Sequence, residues 1–431
     1  MKMISKLFTN KLIKTVFFVA SGTAGAQLIT VLCSPIITRL YGPELFGLLG
    51  SFIAMGSMIL PIMAFSYSMA IILPKKNHTA VQLLLLSIFL SISISFLIFL
   101  ALYFNSSFIL NFFALSNLQW MEYIIPLYLL SLAVFEAFTY WALRKKMFFT
   151  NSKLILFKSI LSNGLKIYAG YYAKTPVTLI VVTTVVTLMT IFLYMYVFRS
   201  ILFKGTIKVM KFRYYKLLAF SYSDFLVYRT PQRLLSGINQ SLPIIMLSSL
   251  FSPSVAGYFT LCRSILMMPL NLVAKSVSDV LFPNVNERYL NGQPIFPLLL
   301  KATFLLALVG LIPLIIIVLY APPLFMYIFG EQWYQSGIYA QWFSIWLFFN
   351  FINRPSLTAV AVLKFEKLLL LNSTLNFILI FSALYFGNVI GDDIITIALF
   401  SLVGVIPQLI IILGVLTKAR NHDIYIKGIS K

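Results

Sequence analysis

Long apolar stretches alternate with short polar segments along the whole chain. Twelve stretches are long enough for a helix to cross a hydrocarbon core about 30 Å thick, which takes about 20 residues. Spans 7 and 8 are longer than one perpendicular crossing, so we expect them to tilt, kink or extend into the cytosol. The approximate spans are 13–38, 45–73, 81–103, 122–143, 153–172, 176–198, 216–250, 254–286, 296–320, 338–362, 367–388 and 394–417.

One turn pattern occurs twice, each time after the first span of a group of six. The stretches are "YGPELFG" at 41–47 and "FSPSVAG" at 251–257, and each has an aromatic residue, a proline two places on and a glycine six places on. Because six is an even number, both groups start on the same side of the membrane, as parallel repeats do. We predict two six-helix lobes, residues 1–208 and 209–431.

The amino-acid composition is typical of a protein embedded in a lipid bilayer. Apolar residues make up 60% of the sequence and charged residues only 10%, and the mean hydropathy is +0.95. A soluble fold could not solvate such a surface. The fold class expected from the sequence is therefore an all-α integral membrane protein with about twelve transmembrane helices.

The basic residues are clustered on alternate loops. The net charge of +22 therefore follows the positive-inside rule, which predicts that both termini are cytoplasmic. This placement argues against nucleic acid as a partner and favours anionic lipid of the inner leaflet. The first apolar stretch continues past the small residues "SGTAGA", which makes it too long for a cleaved signal peptide. We expect it to be retained as the first helix.

Sequence motifs for catalysis are missing. The chain has two histidines and two cysteines, and neither a phosphate-binding glycine-rich loop nor a nucleophile elbow occurs in it. Cys33 and Cys262 lie inside separate spans, where small buried apolar side chains are expected. We predict a protein that is not an enzyme, with no metal site and no cofactor.

Three stretches carry a resemblance to a known family. The segment "PIITRLYGPELFG" is similar to the first helix end and turn of Wzx-type O-antigen and polysaccharide-unit flippases, members of the multidrug/oligosaccharidyl-lipid/polysaccharide (MOP) exporter superfamily. The stretches "SPSVAGYFTLCRSIL" and "YIFGEQWYQSGIYA" resemble later parts of the same family. The resemblance covers most of the chain and implies a fold like that of the MATE transporters.

What the resemblance implies is a transport function. The cargo would be an undecaprenyl-pyrophosphate-linked O-antigen repeat unit, moved from the cytoplasmic to the periplasmic leaflet of the bacterial inner membrane by alternating access. The expected partners are this lipid-linked oligosaccharide, membrane lipids, and the O-antigen polymerase and chain-length regulator.

Polar residues inside the spans are the candidates for a site, because a charge at the centre of a membrane helix costs about 2.5–3.5 kcal/mol. Those expected to bind the cargo in a cavity between the lobes are Arg229, Arg233, Arg263, Lys275, Asn271, Gln27, Asn350 and Arg354. Those considered for ion coupling are Glu136, Asp224 and Asp279. Glu136 has no cation near it in sequence, so it is either protonated or paired with another helix.

Structural alternatives exist for several of these residues. If span 7 starts near Leu234, Arg229 and Arg233 are interfacial cations. Lys275 and Asp279 are four residues apart on one helix face and could pair with each other. Arg354 could extend its side chain to the cytosolic surface.

Three other functions remain open at the level of sequence. A drug exporter of the same superfamily would share the twelve helices, but a basic cavity would repel the usual organic cations. An O-antigen polymerase, an enzyme, generally has a large outer loop, and no long outer loop is predicted here. A membrane scaffold without transport activity would not need charges inside its spans.

Overall fold

The computed structural model describes residues 11–116, 118, 120–203 and 212–429, and the side chains within 22–116, 118, 120–199 and 215–426. In these ranges every regular element is helical. The helices are α1 Lys11–Leu40, α2 Pro43–Met63, α3 Tyr67–Ala70, α4 Asn77–Phe112, α5 Met121–Arg144, α6 Phe148–Tyr172, α7 Pro176–Phe203, α8 Phe212–Ser221, α9 Thr230–Leu250, α10 Pro253–Leu290, α11 Phe296–Phe329, α12 Tyr334–Ile352, α13 Arg354–Val362, α14 Glu366–Ile390, α15 Asp393–Val403 and α16 Val405–Ile429. A π-helical turn, Phe225–Arg229, precedes α9, and a short 3-10 helix, Glu331–Trp333, precedes α12.

The described helices confirm the predicted fold class. Nine segments in the described part of the chain are long and apolar enough to cross a membrane. The other three predicted spans coincide with helices that are more polar or interrupted: α6, the α8–α9 segment, and α12 with α13. Span 7 is broken by the π-helical turn, whereas span 8 forms one helix of 38 residues with prolines at 269 and 283.

The two repeated turns have the same local geometry. Gly42 and Ser252 are both extended, with ψ angles of 170° and 159°, and each is followed by a proline in the first turn of the next helix. Proline suits this position because its ring presets the helical φ and its missing N–H would have no partner there. The sequence echo therefore corresponds to a repeated helix start at Pro43 and Pro253.

The first of two compact units comprises Met1–Ser241. Within it α1 packs along α6, α4 along α5, and α7 against both α5 and α6. Its core includes the fully buried rings of Trp141, Tyr194 and Phe198. The predicted lobe boundary at 208 and 209 lies outside the described residues and stays a prediction.

The second unit comprises Leu242–Lys431. Within it α11 packs along α12, α14 along α15, and α10 against α12 and α13. One cluster of buried side chains joins Val285, Leu299 and Val415, and another joins Leu306, Phe351 and Ile412. The second cluster also contains Phe348 and Phe349, so these rings serve packing.

The start of α11 is capped by a distant residue. Asp423 of α16 is buried and accepts hydrogen bonds from the backbone N–H groups of Ile295, at 2.8 Å, and Phe296, at 2.9 Å. A carboxylate at a helix N-terminus satisfies donors that have no intrahelical partner and interacts favourably with the helix dipole.

Replacing Asp423 with alanine should lower the free energy of unfolding by about 1–2 kcal/mol, because the buried N–H groups lose their acceptor. Thermal unfolding of the detergent-solubilised protein measures this loss. Asp392→Ala is the matched control, since Asp392 caps α15 through an exposed bond to the N–H of Ile395 at 2.9 Å. An equal loss in both variants would contradict the special role of Asp423.

Candidate functional site

The small residues of α1 pack closely against α6. A Cβ atom added at Gly22 would lie 2.8 Å from Oγ of Ser152. Oγ of Ser159 donates to the carbonyl of Ala26 at 2.7 Å and lies 3.2 Å from Oγ1 of Thr30. Gly22 and Ala26 therefore serve packing, because their lack of bulk lets two helices approach.

Gln27, the residue after Ala26, has a different environment. It is half-buried, and its Oε1 atom is buried without a hydrogen-bond partner among the described residues. An acceptor left in this state costs free energy unless a ligand or water donates to it. The expectation that Gln27 contacts cargo hydroxyls stays a prediction.

Two lysines of α6 form a basic face in the first unit. Lys158 and Lys166 are half-buried and lie within about 80° of one face of the helix, with Ser162 between them. Nζ of Lys158 is 4.0 Å from the ring centroid of Phe135 on α5, and the charges of the two lysines repel each other. In the described part of the chain neither lysine forms an ion pair. Two uncompensated cations therefore lie on a helix within a predicted span.

A salt bridge in the first unit connects α5 with α9. The Arg233 guanidinium lies 2.5 Å from Oε1 of Glu136, and the side chains are 25% and 16% exposed. Oγ of Ser68 donates to Oε2 of the same carboxylate at 3.0 Å. Glu136 is therefore paired with a cation of another helix, and the predicted cargo-binding cation Arg233 carries a counter-ion.

The neighbouring predicted residues of span 7 are more exposed. Arg229 ends the π-helical turn, is exposed, and donates to Oε1 of Gln232 at 3.3 Å. Asp224, just before that turn, is exposed and makes no capping hydrogen bond with its side chain. Arg229 is therefore more exposed than Arg233.

Three predicted residues come together in the second unit. The Arg354 guanidinium donates to Oδ1 of Asn350 at 2.7 Å. Arg354 and Asp279 line the same cavity of about 610 Å³. Oγ atoms of Ser278 and Thr358, on the same wall, are 3.0 Å apart. This cavity offers a cation, a carboxylate and hydroxyl groups to a polar molecule.

The remaining predicted residues lie along α10. Arg263 is half-buried, whereas Asn271 and Lys275 are exposed. Lys275 and Asp279 form no ion pair within the described ranges, so the alternative in which they neutralise each other is not what the structure shows. Their side chains are available to water or to a ligand.

The sequence reasoning missed four residues of these clusters. Lys158 and Lys166 were visible as lysines inside span 5, spaced eight apart on one helix face. Ser66, which contacts Arg233, and Thr230, which contacts Ser66, gave no sequence signal, because only the tertiary structure brings them together.

Solved structures share this fold at low sequence identity. A multidrug resistance MATE family transporter of the MOP superfamily is 14% identical with a TM-score of 0.66, over 94% of this chain and 96% of that chain. The lipid II flippase MurJ is 13% identical with a TM-score of 0.67, over 95% and 90%. A MOP superfamily transporter from Pyrococcus furiosus is 11% identical with a TM-score of 0.56, over 96% and 95%. These likenesses concern the fold alone.

Sequence comparison gives the family. None of the curated protein sequences compared with the chain matches it. The family model described as "Polysaccharide biosynthesis protein" matches residues 36–337, which is well over half of the chain. This multi-pass membrane protein therefore belongs to the polysaccharide biosynthesis protein family.

Proposed function

We propose that the protein is a flippase for undecaprenyl-pyrophosphate-linked O-antigen repeat units. It moves them from the cytoplasmic to the periplasmic leaflet of the bacterial inner membrane by alternating access, with both termini in the cytoplasm. Membership of the polysaccharide biosynthesis protein family supports a saccharide cargo, and the fold shared with MATE and MurJ supports transport rather than catalysis.

The observation that carries this proposal is the surplus of cations on the spanning helices. Lys158 and Lys166 are half-buried and have no ion-pair partner among the described residues. Such charges are costly in a membrane protein unless they contact water or an anionic ligand. A pyrophosphate or an acidic sugar would compensate them through charge-assisted hydrogen bonds.

The second unit supplies polar groups for the rest of the cargo. Arg263, Lys275 and Arg354 would hold anionic groups, while Asn271 and Asn350 would contact sugar hydroxyls. The 610 Å³ cavity beside Arg354 has room for one or two sugar rings and is lined by Asp279, Ser278 and Thr358. Protein carboxylates and hydroxyls commonly accept hydrogen bonds from such rings.

The direction of transport needs no nucleotide. A headgroup with about two negative charges gains roughly 2.3 kcal/mol per charge per 100 mV on leaving a negative-inside cell, if it crosses the full field. Glu136, Asp224 and Asp279 remain the candidates for additional ion coupling. Among them Glu136 is engaged with Arg233, so its coupling would require that pair to separate.

The test is complementation of a flippase-deleted bacterium that makes the matching O-antigen. The wild type should restore surface polysaccharide. Arg263→Ala should lower it at least about tenfold at equal membrane level, because a lost charge-assisted contact is worth about 1.5–3 kcal/mol.

Arg288→Ala is the matched control, since Arg288 lies at the end of the same helix and donates to the carbonyl of Pro294. It should leave surface polysaccharide unchanged. Failure of the wild type in its matched strain would overturn the flippase assignment. Normal polysaccharide with Arg263→Ala would remove Arg263 from the cargo site.

A further inference from the structure

The segment before and within the start of α9 makes polar contacts with other helices of the first unit, to which it also belongs. Besides the Glu136 salt bridge, the Arg233 guanidinium lies 3.4 Å from Oγ of Ser66. Oγ1 of Thr230 lies 3.2 Å from the same oxygen. Two side chains of α9, Arg233 and Thr230, therefore converge on Ser66 in the short connection between α2 and α3.

That connection has an unusual backbone. Phe65 and Ser66 both have positive φ angles, 44° and 56°. Residues other than glycine adopt this region at a cost, and such conformations concentrate at switch regions and ligand-binding sites. The conformation places Ser66 where it meets both Arg233 and Thr230.

The same segment also makes a close backbone approach. A Cβ atom added at Gly237, one turn beyond Arg233, would lie 2.9 Å from the carbonyl oxygen of Ser57. Only glycine fits so close to a neighbouring backbone. The docked position of α9 is therefore specified along more than one helical turn.

A natural bending point lies just before Arg233 in the chain. The backbone is π-helical at Phe225–Arg229, and Pro231 follows at the start of α9. Oγ1 of Thr230 donates to the carbonyl of Phe225 at 2.9 Å and satisfies an acceptor at this irregularity. Single π-helical turns frequently mark functional sites, and proline kinks helices.

We propose that Glu136 and Arg233 form an anion-released latch. Glu136 occupies Arg233 as an internal counter-ion while residues 225–237 are docked. A phosphate or pyrophosphate group that binds Arg233 displaces Glu136 and frees the segment. This inference rests on the proposed function for its cargo, because it assigns the release signal to the anionic group of that cargo.

A pyrophosphate carries enough negative charge to compete with the Glu136 carboxylate for Arg233. A pyrophosphate carries about two negative charges and can form several charge-assisted hydrogen bonds with a guanidinium, whereas Glu136 contributes one charge. Lys158 and Lys166, in the same unit, add positive potential without a counter-ion of their own among the described residues. A ligand with differential affinity for the undocked state shifts the equilibrium towards it.

Disulfide trapping tests the latch in the full-length protein. In a Cys33→Ser, Cys262→Ala background, Ser66→Cys with Thr230→Cys should cross-link rapidly under mild oxidation. Adding Glu136→Gln should slow this cross-linking at least about tenfold, since the docked state loses its ion pair. The charge-exchanged variant Glu136→Arg, Arg233→Glu should restore much of the cross-linking rate, because it can form the same ion pair in reverse.

The matched control is a second pair with the same separation. Oγ1 of Thr30 and Oγ of Ser159 are also 3.2 Å apart, within the α1–α6 contact. Thr30→Cys with Ser159→Cys should cross-link at the same rate whether residue 136 is glutamate or carries Glu136→Gln. Equal slowing of both pairs, or no slowing of the 66–230 pair, would overturn the latch.

A ligand experiment identifies the release signal. Polyprenyl pyrophosphate in lipid vesicles and inorganic pyrophosphate in solution are each added to the reconstituted 66–230 variant. Slower cross-linking with either, and unchanged 30–159 cross-linking, supports release by the phosphate group. An effect of the lipid alone assigns the signal to the membrane-borne headgroup. No effect of either anion would overturn anion release.

The latch and the proposed function can fail separately. The oxidised 66–230 variant should not restore surface polysaccharide, and a reducing agent should recover it. If cross-linking responds to Glu136→Gln but the reduced protein never complements, the latch stands and the flippase assignment falls. If the oxidised protein complements fully, the docked segment does not move during transport and the latch is wrong.

Discussion

Replacing Gly337 with alanine should sharply lower both the yield and the melting temperature of the folded protein. Gly337 lies in the first turn of α12, where an added Cβ atom would be 2.6 Å from the backbone nitrogen of Pro322 and 2.7 Å from the carbonyl oxygen of Ala321. Both are backbone atoms of α11, so the clash cannot be relieved by a change of side-chain rotamer. Overpacking of this kind costs about 1–3 kcal/mol or more. The measurement is the amount of monodisperse protein after solubilisation and its melting temperature.

Gly164→Ala is the matched control for that substitution. Gly164 lies within α6, and an added Cβ atom there would meet nothing within 4 Å. Because alanine favours helix by up to about 1 kcal/mol over glycine, the control should be neutral or stabilising. Normal yield and melting temperature for Gly337→Ala would show that α11 and α12 are not packed as closely as the structure has them.

Removing the two lysines of α6 should stop transport without harming the fold. In the double variant Lys158→Gln, Lys166→Gln, the proposed anion contacts lose both charges. At about 1.5–3 kcal/mol for each hydrogen bond to a charged group, translocation should fall about a hundredfold or more. The melting temperature should stay equal or rise, because an uncompensated charge in a spanning helix is destabilising. Surface polysaccharide and thermal unfolding together measure the two effects.

Two further variants separate charge from packing. Lys153→Gln is the control on the same helix, since Lys153 is exposed and its Nζ lies 4.3 Å from the ring centroid of Phe149. It should leave transport unchanged. The double variant Lys158→Arg, Lys166→Arg should keep most activity because the charge remains. If the glutamine variant transports normally, or if it unfolds, the two lysines are not the proposed anion site.

The helices of this chain could be located from sequence because their positions follow from composition. A helix that crosses lipid must satisfy all its backbone groups internally and present about 20 apolar side chains. Both requirements are local, so the apolar runs around α4 and α11 mark their helices directly. The repeated turns at Pro43 and Pro253 are also local, since proline restricts its own φ angle.

The polar clusters were only partly predictable. Placing a charge inside a membrane helix costs free energy, which identified Arg233, Arg263 and Glu136 as unusual residues. That argument did not reveal which side chains they contact or how exposed they are. Asn350 and Arg354 are only four residues apart and meet across the break between α12 and α13. By contrast, the salt bridge between Glu136 and Arg233 could not be seen from sequence, because the two residues are separated by 97 positions. A contact between distant segments depends on how helices pack, which one sequence does not reveal.

The sequence by itself determined that lipid surrounds this protein, the order of its long apolar helices and the sign of most charges on them. Each of these properties is a sum over neighbouring residues. Only the tertiary structure decided that Gly22 and Ala26 serve packing, that Lys158 and Lys166 have no counter-ion in the described part, and that Arg233 has one. Whether a charged side chain is neutralised depends on the groups that lie within a few ångströms of it in space. Because residues on different helices can be far apart in sequence, such a contact leaves no pattern in the spacing of residues along the chain.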